Sequence, residues 1–340
     1  MKIALDATYS LGDALSGVGV YSREMLHGLA AQPESRWDWF YRPKRYWMAR
    51  SQPTPGNVTR RILTDSFGDR SAVLFHGLNQ RLPRRRFRRQ IATFHDLFVV
   101  SGEYSSPDFR ARFAAQARAA ADAADLIVAV SAFTGTQVEQ YLGVPASRIR
   151  VIHHGVVPRQ IPKHRREKVI LCVGAIQRRK NQSALVQAFR EVPEDWSLVL
   201  AGSSGFGAEE ILQQIGTSPC AARIHVTGYL AEAAIAEWYG RASIFAFPSL
   251  DEGFGMPVLE AMAAGVPVIT SNRSALPEVA GEAAILVDPE NDDELGSALR
   301  FLAENVKRRE ELAALGKIHA GQFTWADAVS ATRAAYRELV

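Results

Sequence analysis

The chain contains, at residues 244–260, the sequence IFAFPSLDEGFGMPVLE, in which a predicted strand runs through a glycine turn into a predicted helix. The apolar run 244–247 is short and continuous, which is typical of a strand buried on both faces of a parallel sheet. Gly253 and Gly255 permit a tight turn, and Pro257 suits the first position of a helix. Open parallel sheets bind ligands at the carboxyl ends of their strands, so this stretch predicts a fold and the position of a site.

Similar strands and helices alternate along the whole chain. We predict strands at 2–7, 72–76, 90–94, 125–130, 169–173, 197–201, 244–247 and 266–270. We predict helices at 20–30, 109–124, 132–142, 183–190, 209–215, 231–240, 257–264, 292–304 and 325–339. This alternation favours an α/β fold of doubly wound parallel sheets.

The alternation is interrupted at one place, which we interpret as a boundary between domains. Residues 157–166 hold two prolines, four basic side chains and a histidine, without an apolar period. We therefore predict a linker at 158–168 between two Rossmann-like domains, 1–157 and 169–324. The last helix, within 325–340, follows the second domain.

Composition excludes several classes of protein. The chain has 340 residues, 47% of them hydrophobic, which suits an ordinary globular protein with two cores. Its two cysteines, Cys172 and Cys220, argue against a disulfide framework and a structural zinc site. We find no stretch typical of a signal peptide or a membrane span, and we expect a cytoplasmic protein.

The net charge of +4 is distributed unevenly. Residues 1–160 carry 22 Lys and Arg against 13 Asp and Glu, whereas residues 161–340 carry 18 against 23. The most basic segment holds Arg84, Arg85, Arg86, Arg88 and Arg89. Either it is a solvated loop, or it contacts anionic lipid head groups or a diphosphate-bearing acceptor at the membrane. No nucleic-acid-binding pattern accompanies it, so we expect no nucleic-acid partner.

Two glutamates of the opening stretch are candidate ligand-binding residues. Glu252 lies in the glycine turn and Glu260 in the predicted helix that follows. Carboxylates accept paired hydrogen bonds from sugar and ribose hydroxyls. The alternative is a helix-terminal charge and one surface glutamate.

A second candidate site follows the first strand of the second domain. Residues 174–181, GAIQRRKN, place Arg178, Arg179 and Lys180 just before a predicted helix. Cations beside a helix N-terminus suit a diphosphate. The alternative is a solvated loop.

The first domain offers weaker candidates. Gly17 and Gly19 lie between its first strand and first helix, where a GxG turn need mean only tight geometry. His95 and Asp96 follow the strand at 90–94, and a polar pair at a strand's carboxyl end favours a site. Most lone histidines are structural, however.

Taken as an ordered set, these residues resemble the retaining glycosyltransferases of family four. Glu252 and Glu260 match the family's E-x7-E signature. Further similarity lies at 16–19, 94–96, 179–181, 226–229, 246–249, 260–269 and 276–281. The resemblance covers nearly the whole chain and is strongest to bacterial mannosyltransferases that build O-antigen and exopolysaccharide repeats on polyprenyl diphosphate.

The resemblance implies a GT-B fold, with two Rossmann-like domains facing each other across a cleft. The N-terminal domain would bind the acceptor, the C-terminal domain the nucleotide sugar, and the last helix would cross back onto the first domain. The implied enzyme is a retaining hexosyltransferase that moves a sugar, with GDP-mannose the favoured donor, to a lipid-linked saccharide. The donor is a substrate, and we expect no cofactor.

The resemblance also implies a role for each matching residue. Glu260 would hold the ribose hydroxyls, Glu252 would contact the transferred sugar, and His95 would approach its reacting carbon. The donor site would further include Gly17, Gly19, Arg178, Arg179, Lys180, Gly253, Phe254, Gly255 and Met256, with Lys180 and the arginines on the diphosphate. Catalytic roles would fall to His95, Glu252 and Lys180.

One departure from the family affects the phosphate site. Many members carry arginine directly after the glycine of the 174 turn, where this chain has Ala175. Either Arg178 or Arg179 could replace that contact. We find no DxD pair before a suitable turn, so cations are expected to take the place of a metal ion. The alternatives to a transferase are a non-catalytic nucleotide- or carbohydrate-binding protein and a sugar-nucleotide epimerase on the same fold.

Overall fold

The computed structural model describes residues 2–12, 15–32, 35–65, 71–157, 161, 162 and 164–340. The chain divides into two compact units, of which the first comprises Met1–Gly155 with Thr324–Val340 and the second Val156–Phe323. Residues 158–160 and 163 of the predicted linker lie outside the described ranges.

The first unit is built on a parallel sheet with the strand order β3-β2-β1-β4-β5-β6-β7. Its strands are β1 (Lys2–Asp6), β2 (Arg36–Tyr41), β3 (Val58–Ile62), β4 (Leu74–Gly77), β5 (Gln90–Phe94), β6 (Leu126–Ala129) and β7 (Ile149–Val151). Its helices are α1 (Gly17–Ala30), α2 (Pro43–Ala49), α3 (Phe98–Ser101), α4 (Pro107–Ala123) and α5 (Ala132–Leu142). Strands β4, β5 and β6 are buried along their whole length, which explains their continuous apolar runs.

The second unit repeats this plan with the strand order β10-β9-β8-β11-β12-β13. Its strands are β8 (Glu167–Val173), β9 (Ser197–Ala201), β10 (Ile224–Gly228), β11 (Ala242–Phe247), β12 (Val268–Ser271) and β13 (Ala284–Val287). Its helices are α6 (Gln182–Ala188), α7 (Ala208–Thr217), α8 (Glu232–Arg241), α9 (Met256–Ala263), α10 (Leu276–Ala280), α11 (Asp292–Glu304) and α12 (Val306–Ala320). The predicted α/β architecture of two parallel sheets is confirmed.

The last helix, α13 (Trp325–Arg337), belongs to the first unit although it follows the second in sequence. It packs on α1, where Val329 lies so close that a Cβ on Gly28 would stand 2.5 Å from its Cγ2. Beyond the helix, Glu338 pairs with Arg150, at 2.9 Å between Nε and Oε1. Apolar packing and an ion pair therefore hold the C-terminal segment to the first sheet.

In each sheet, the order in which the chain adds strands reverses at one point. In the first sheet, β2 and β3 are added successively on one side of β1, and β4 then pairs with the other side of β1. In the second sheet, β8 and β11 are neighbours in the same way. Ligands of open α/β sheets bind outside the carboxyl ends of such strand pairs. The residues that follow β8 and β11 therefore lie where a ligand is expected.

Several elements are absent from the sequence-based prediction. The missed strands are β2, β3, β7, β10 and β13, and the missed helices are α2, α3, α10 and α12. Strands β2 and β3, RWDWFY and VTRRI, contain charged residues and lack the continuous apolar run used to predict strands. They form because parallel pairing with β1 extends the sheet outward.

Candidate functional site

The turn between β11 and α9 requires glycine at position 255. Gly255 precedes the helix with φ of 107°, a left-handed conformation that side chains disfavour. A Cβ at this position would also lie 2.7 Å from Cδ2 of Leu276. Met256 and Pro257 then begin α9. The predicted strand, turn and helix are therefore present, and the turn brings residues 252–254 to the carboxyl edge of the sheet.

Glu252 lies at the centre of a buried group of charges. Its Oε1 is 2.5 Å from Nζ of Lys180, and its Oε2 is 3.0 Å from a guanidinium nitrogen of Arg179. The exposed fraction of each side chain is about a tenth, between 9% and 11%. We call these three residues the Glu252 cluster. Arg179 also donates to the backbone carbonyl of Asp251.

The backbone of the second unit positions the two cations. A short 3-10 turn, Arg178–Lys180, follows β8 and ends at Asn181, which has φ of 55°. The carbonyl of Arg179 accepts a hydrogen bond from the amide of Leu250 at 2.8 Å, which ties this turn to the segment after β11. Lys180 Nζ also lies 4.5 Å from the centre of the Phe247 ring. The carboxyl ends of β8 and β11 thus bring lysine, arginine and glutamate together.

Electrostatics keep Glu252 ionised. Burial by itself would raise its pKa, but Arg179 and then Lys180 outweigh burial and lower the pKa to about 2. Burial lowers the pKa of Lys180, and the attraction of Glu252 opposes that change. The cluster thus holds two cations and one carboxylate in a buried place, beside the buried Asp251. Its two cations are the groups that could hold an anionic ligand.

Glu260 lies outside the Glu252 cluster, on α9. It is half-buried, and its Oε2 accepts a hydrogen bond from the hydroxyl of Tyr239 at 3.1 Å. Glu252 lies in the segment between β11 and α9, and Glu260 lies within α9. The two carboxylates therefore come from a loop and from the helix that follows it.

The structure separates the two candidate arginines. Arg178 is half-exposed and forms a two-bond pair with Glu210, at 2.5 and 3.2 Å. Arg179, the next residue, belongs to the Glu252 cluster. Ala175 contributes its carbonyl to Gln182 at 2.9 Å. The structure therefore brings Arg179 and Lys180 to Glu252 and directs Arg178 to another partner.

Sequence reasoning missed the residues that hold the backbone of Glu252. The amide of Glu252 donates to Oγ of Ser274 at 3.1 Å, and its carbonyl accepts from the amide of Ala275 at 3.2 Å. Ser274 has φ of 55°, which is uncommon for serine. No local pattern marks these contacts, because they join segments more than twenty residues apart in sequence.

His95 lies in the first unit, directly after β5. Its side chain is buried, and Nε2 is 3.0 Å from the carbonyl oxygen of Leu78. Burial lowers the pKa of His95 to about 4, so the ring is neutral at physiological pH. Since a carbonyl only accepts, Nε2 carries the proton and Nδ1 is an acceptor. His95 is therefore a neutral imidazole of defined tautomer.

Gly19 has a packing role in the first unit. Its amide donates to Oγ of Ser16 at 3.3 Å, which caps α1. A Cβ on Gly19 would lie 3.0 Å from the carbonyl of Tyr9. Gly17 is the exposed first residue of α1. The close approach of the Tyr9 carbonyl is by itself a reason for glycine at position 19.

The basic segment between β4 and β5 is exposed. Exposure is expected both for a solvated loop and for a segment that contacts lipid head groups or an acceptor diphosphate. The five arginines of the segment are exposed, while Phe87 among them is buried against Phe40 and Phe75. Arg86 and Arg89 each approach Asp125 at 3.5 Å. Within the described ranges, no helix is long and apolar enough to cross a membrane.

Comparison with known proteins gives consistent matches along the chain. The family described as glycosyl transferases group 1 matches residues 157–318, and glycosyltransferase family 4 matches residues 69–160. The O-antigen chain mannosyltransferase B of Escherichia coli is 30% identical over 289 residues, which are 80% of this chain and 76% of that protein.

Solved structures resemble the whole chain. Sucrose-phosphate synthase from Thermosynechococcus elongatus superposes with a TM-score of 0.79 at 20% identity, covering 99% of this chain and 98% of that one. Anabaena HepE, solved in complex with UDP-glucose, gives 0.76 at 17% identity, covering 99% and 100%. At these identities the likeness shows the fold, which is GT-B. Together with the sequence matches, it establishes that this chain belongs to the family 4, group 1 glycosyltransferases.

Proposed function

We propose that this glycosyltransferase moves a mannosyl group from GDP-mannose to a lipid-linked saccharide, with retention of the anomeric configuration. The second unit would bind the donor and the first unit the acceptor. The observation that carries this proposal is the Glu252 cluster, which brings two buried cations together at the switch point of the second sheet.

The cluster suits a diphosphate leaving group. As the bond from the sugar carbon to the diphosphate breaks, negative charge builds on the departing oxygen. Lys180 and Arg179 would stabilise this charge, and fixed charges in a dry site do so without reorganisation. The acceptor oxygen would bond to the sugar carbon on the same face, and its proton would pass to the leaving diphosphate. Because two protein cations serve the diphosphate, we propose that the reaction needs no metal ion.

Other residues of the second unit would bind the neutral parts of the donor. Glu260 would accept hydrogen bonds from the ribose hydroxyls, and Glu252 from the transferred sugar. The amides of Phe254, Gly255 and Met256, where α9 begins, would face sugar hydroxyls or phosphate. Met256 is the first residue of α9, so these amides lie at the positive end of the helix dipole.

The choice of mannose rests on the relatives. The Escherichia coli relative is named as a mannosyltransferase that acts on the O-antigen chain. HepE was solved with UDP-glucose, so UDP-glucose is the donor against which GDP-mannose should be tested. We further propose that the exposed arginines Arg84, Arg85, Arg86, Arg88 and Arg89 contact anionic lipid or the acceptor diphosphate at the inner face of the membrane.

A ligand screen followed by a transfer assay tests the proposal. We expect GDP and GDP-mannose to raise the melting temperature more than UDP or ADP and their sugars, since a ligand at 100 times its Kd adds about 2.7 kcal/mol. Labelled mannose should then appear on a mannose-terminated oligosaccharide in the α configuration. Binding without transfer would indicate a non-catalytic protein, and an altered nucleotide sugar without acceptor would indicate an epimerase. Either result would overturn the proposal.

A further inference from the structure

Four buried polar side chains form a continuous hydrogen-bonded chain inside the first unit. The hydroxyl of Tyr336 lies 2.7 Å from Nδ1 of His76, and Nε2 of His76 lies 2.8 Å from Oγ1 of Thr93. Oγ1 of Thr93 lies 3.1 Å from the hydroxyl of Tyr21. We call these four residues the Tyr336 chain. It links α13, β4, β5 and α1, and none of its members is more than 1% exposed.

The protonation state of His76 limits how the hydrogen bonds of this chain can be arranged. Burial, with a smaller contribution from His95, lowers the pKa of His76 to about 3, so its ring is neutral. A neutral imidazole has one donor and one acceptor nitrogen. One ring nitrogen therefore donates and the other accepts, and removing the hydroxyl of Tyr336 leaves Nδ1 of His76 without its partner in the chain.

The Tyr336 chain ends on a ring that holds His95. The Tyr21 ring meets His95 edge-on, with centroids 4.7 Å apart, and stacks on His154 at 4.9 Å. His95 and His154 themselves are 5.4 Å apart. Besides its hydrogen bond to Leu78, His95 is thus oriented by aromatic contacts, and the position of Tyr21 depends on the chain behind it.

Backbone pairing already joins the two strands that carry the middle of the Tyr336 chain, β4 and β5, with His76 opposite Ile91. Buried polar groups cost free energy that hydrogen bonds only return, and apolar side chains of similar size serve a core as well. What the hydroxyls and the imidazole add is a defined orientation.

We propose that Tyr336, on the last helix, is a positioning residue for His95, acting through His76, Thr93 and Tyr21. This inference rests on the proposed function and on the role that the family resemblance implies for His95, close to the reacting carbon of the sugar. It assigns the C-terminal helix a part in catalysis in addition to its packing on α1.

Tyr336→Phe tests the proposal by removing one hydroxyl. We expect kcat to fall about fivefold or more, as the loss of one buried hydrogen bond allows, with the donor KM unchanged. Thr93→Val, in the middle of the chain, should act in the same direction. Tyr41→Phe is the matched control, because Tyr41 is a buried tyrosine of the same unit, in β2, and lies outside the Tyr336 chain. It should leave kcat within twofold of wild type.

A double-mutant cycle separates positioning from general destabilisation. If Tyr336 acts through His95, Tyr336→Phe should lower kcat in the wild-type background and leave it unchanged in a His95→Ala background. The ring nitrogen resonances of His95 should also shift in Tyr336→Phe and not in Tyr41→Phe. Equal losses of kcat in both backgrounds, or unshifted His95 resonances, would overturn the inference and leave the proposed function standing. A wild-type enzyme that transfers no sugar would instead overturn the proposed function.

Discussion

Glu252→Gln removes the negative charge from a buried cluster that also holds Arg179 and Lys180. The glutamine has nearly the same shape, so packing is retained while two cations lose their counter-charge. The same change removes the carboxylate that would contact the transferred sugar. One substitution therefore tests both the electrostatics of the cluster and its proposed role.

The expected loss of stability follows from the pKa of Glu252. The folded protein lowers that pKa from 4.5 to about 2, which corresponds to about 3 kcal/mol in favour of the ionised, folded state. This contribution is present above pH 4.5 and is lost as the pH falls through about 2. Breaking a buried ion pair on one side costs about 3–5 kcal/mol in other proteins, in agreement with that figure. We expect Glu252→Gln to lose about 3 kcal/mol at pH 7.

Urea unfolding at several pH values measures this loss. The stability difference between wild type and Glu252→Gln should be largest near pH 7 and should shrink as the pH falls from 4.5 towards about 2, because the carboxyl of the unfolded chain takes up a proton before that of the folded protein. Glu260→Gln is the control, because Glu260 is half-buried, lies outside the Glu252 cluster and accepts a hydrogen bond from the hydroxyl of Tyr239. It should change stability by about 1 kcal/mol or less.

Ligand binding to the same variants completes the experiment. Because Glu252→Gln frees Arg179 and Lys180 from their carboxylate, GDP should stabilise this variant at least as strongly as wild type. Sugar transfer should nevertheless fall by about a hundredfold or more. Equal unfolding free energies for Glu252→Gln and Glu260→Gln at pH 7 would refute the reasoning about the cluster.

Three further predictions concern the arginines, metal ions and His95. Arg179→Ala should lower kcat/KM about tenfold or more. Arg178→Ala, which loses an exposed pair with Glu210 and a contact with the Phe206 ring, should stay within twofold of wild type; the reverse order in a transfer assay would contradict the assignment. Transfer should continue in EDTA, and loss of activity that manganese restores would show that a metal is required. Because the pKa of His95 is lowered to about 4, kcat/KM should show no change near pH 6.5 from this residue, and a change there that disappears in His95→Asn would contradict its buried, neutral state.

The sequence predicts well those elements that depend on local patterns. Strands β5 and β9 and helices α5 and α11 have the bounds predicted from apolar runs and caps. Ser131 accepts a hydrogen bond from the amide of Thr134 and so caps α5. The turn at Gly255 also follows from local chemistry, since the φ it needs is available to glycine at little cost.

The tertiary structure decides features that depend on distant residues. Strands β2 and β3 become strands by pairing outward from β1, despite their charges. Likewise, α13 joins the first unit through contacts with residues early in the chain, including Tyr336 with His76. Parallel pairing and helix packing join segments that no short window of sequence contains together.

In the candidate site, too, local sequence determined some features and tertiary packing determined others. Residues 244–260 by themselves determined a strand, a glycine turn and a helix, and thus a carboxylate at the edge of a parallel sheet. They did not determine its partners. Successive residues of a 3-10 turn point about 120° apart, so three adjacent cations cannot all face the same way. Arg178 pairs with Glu210, whereas Lys180 pairs with Glu252, which is 72 residues away in sequence. Only the packing of β8 beside β11 decided which cations share the buried carboxylate.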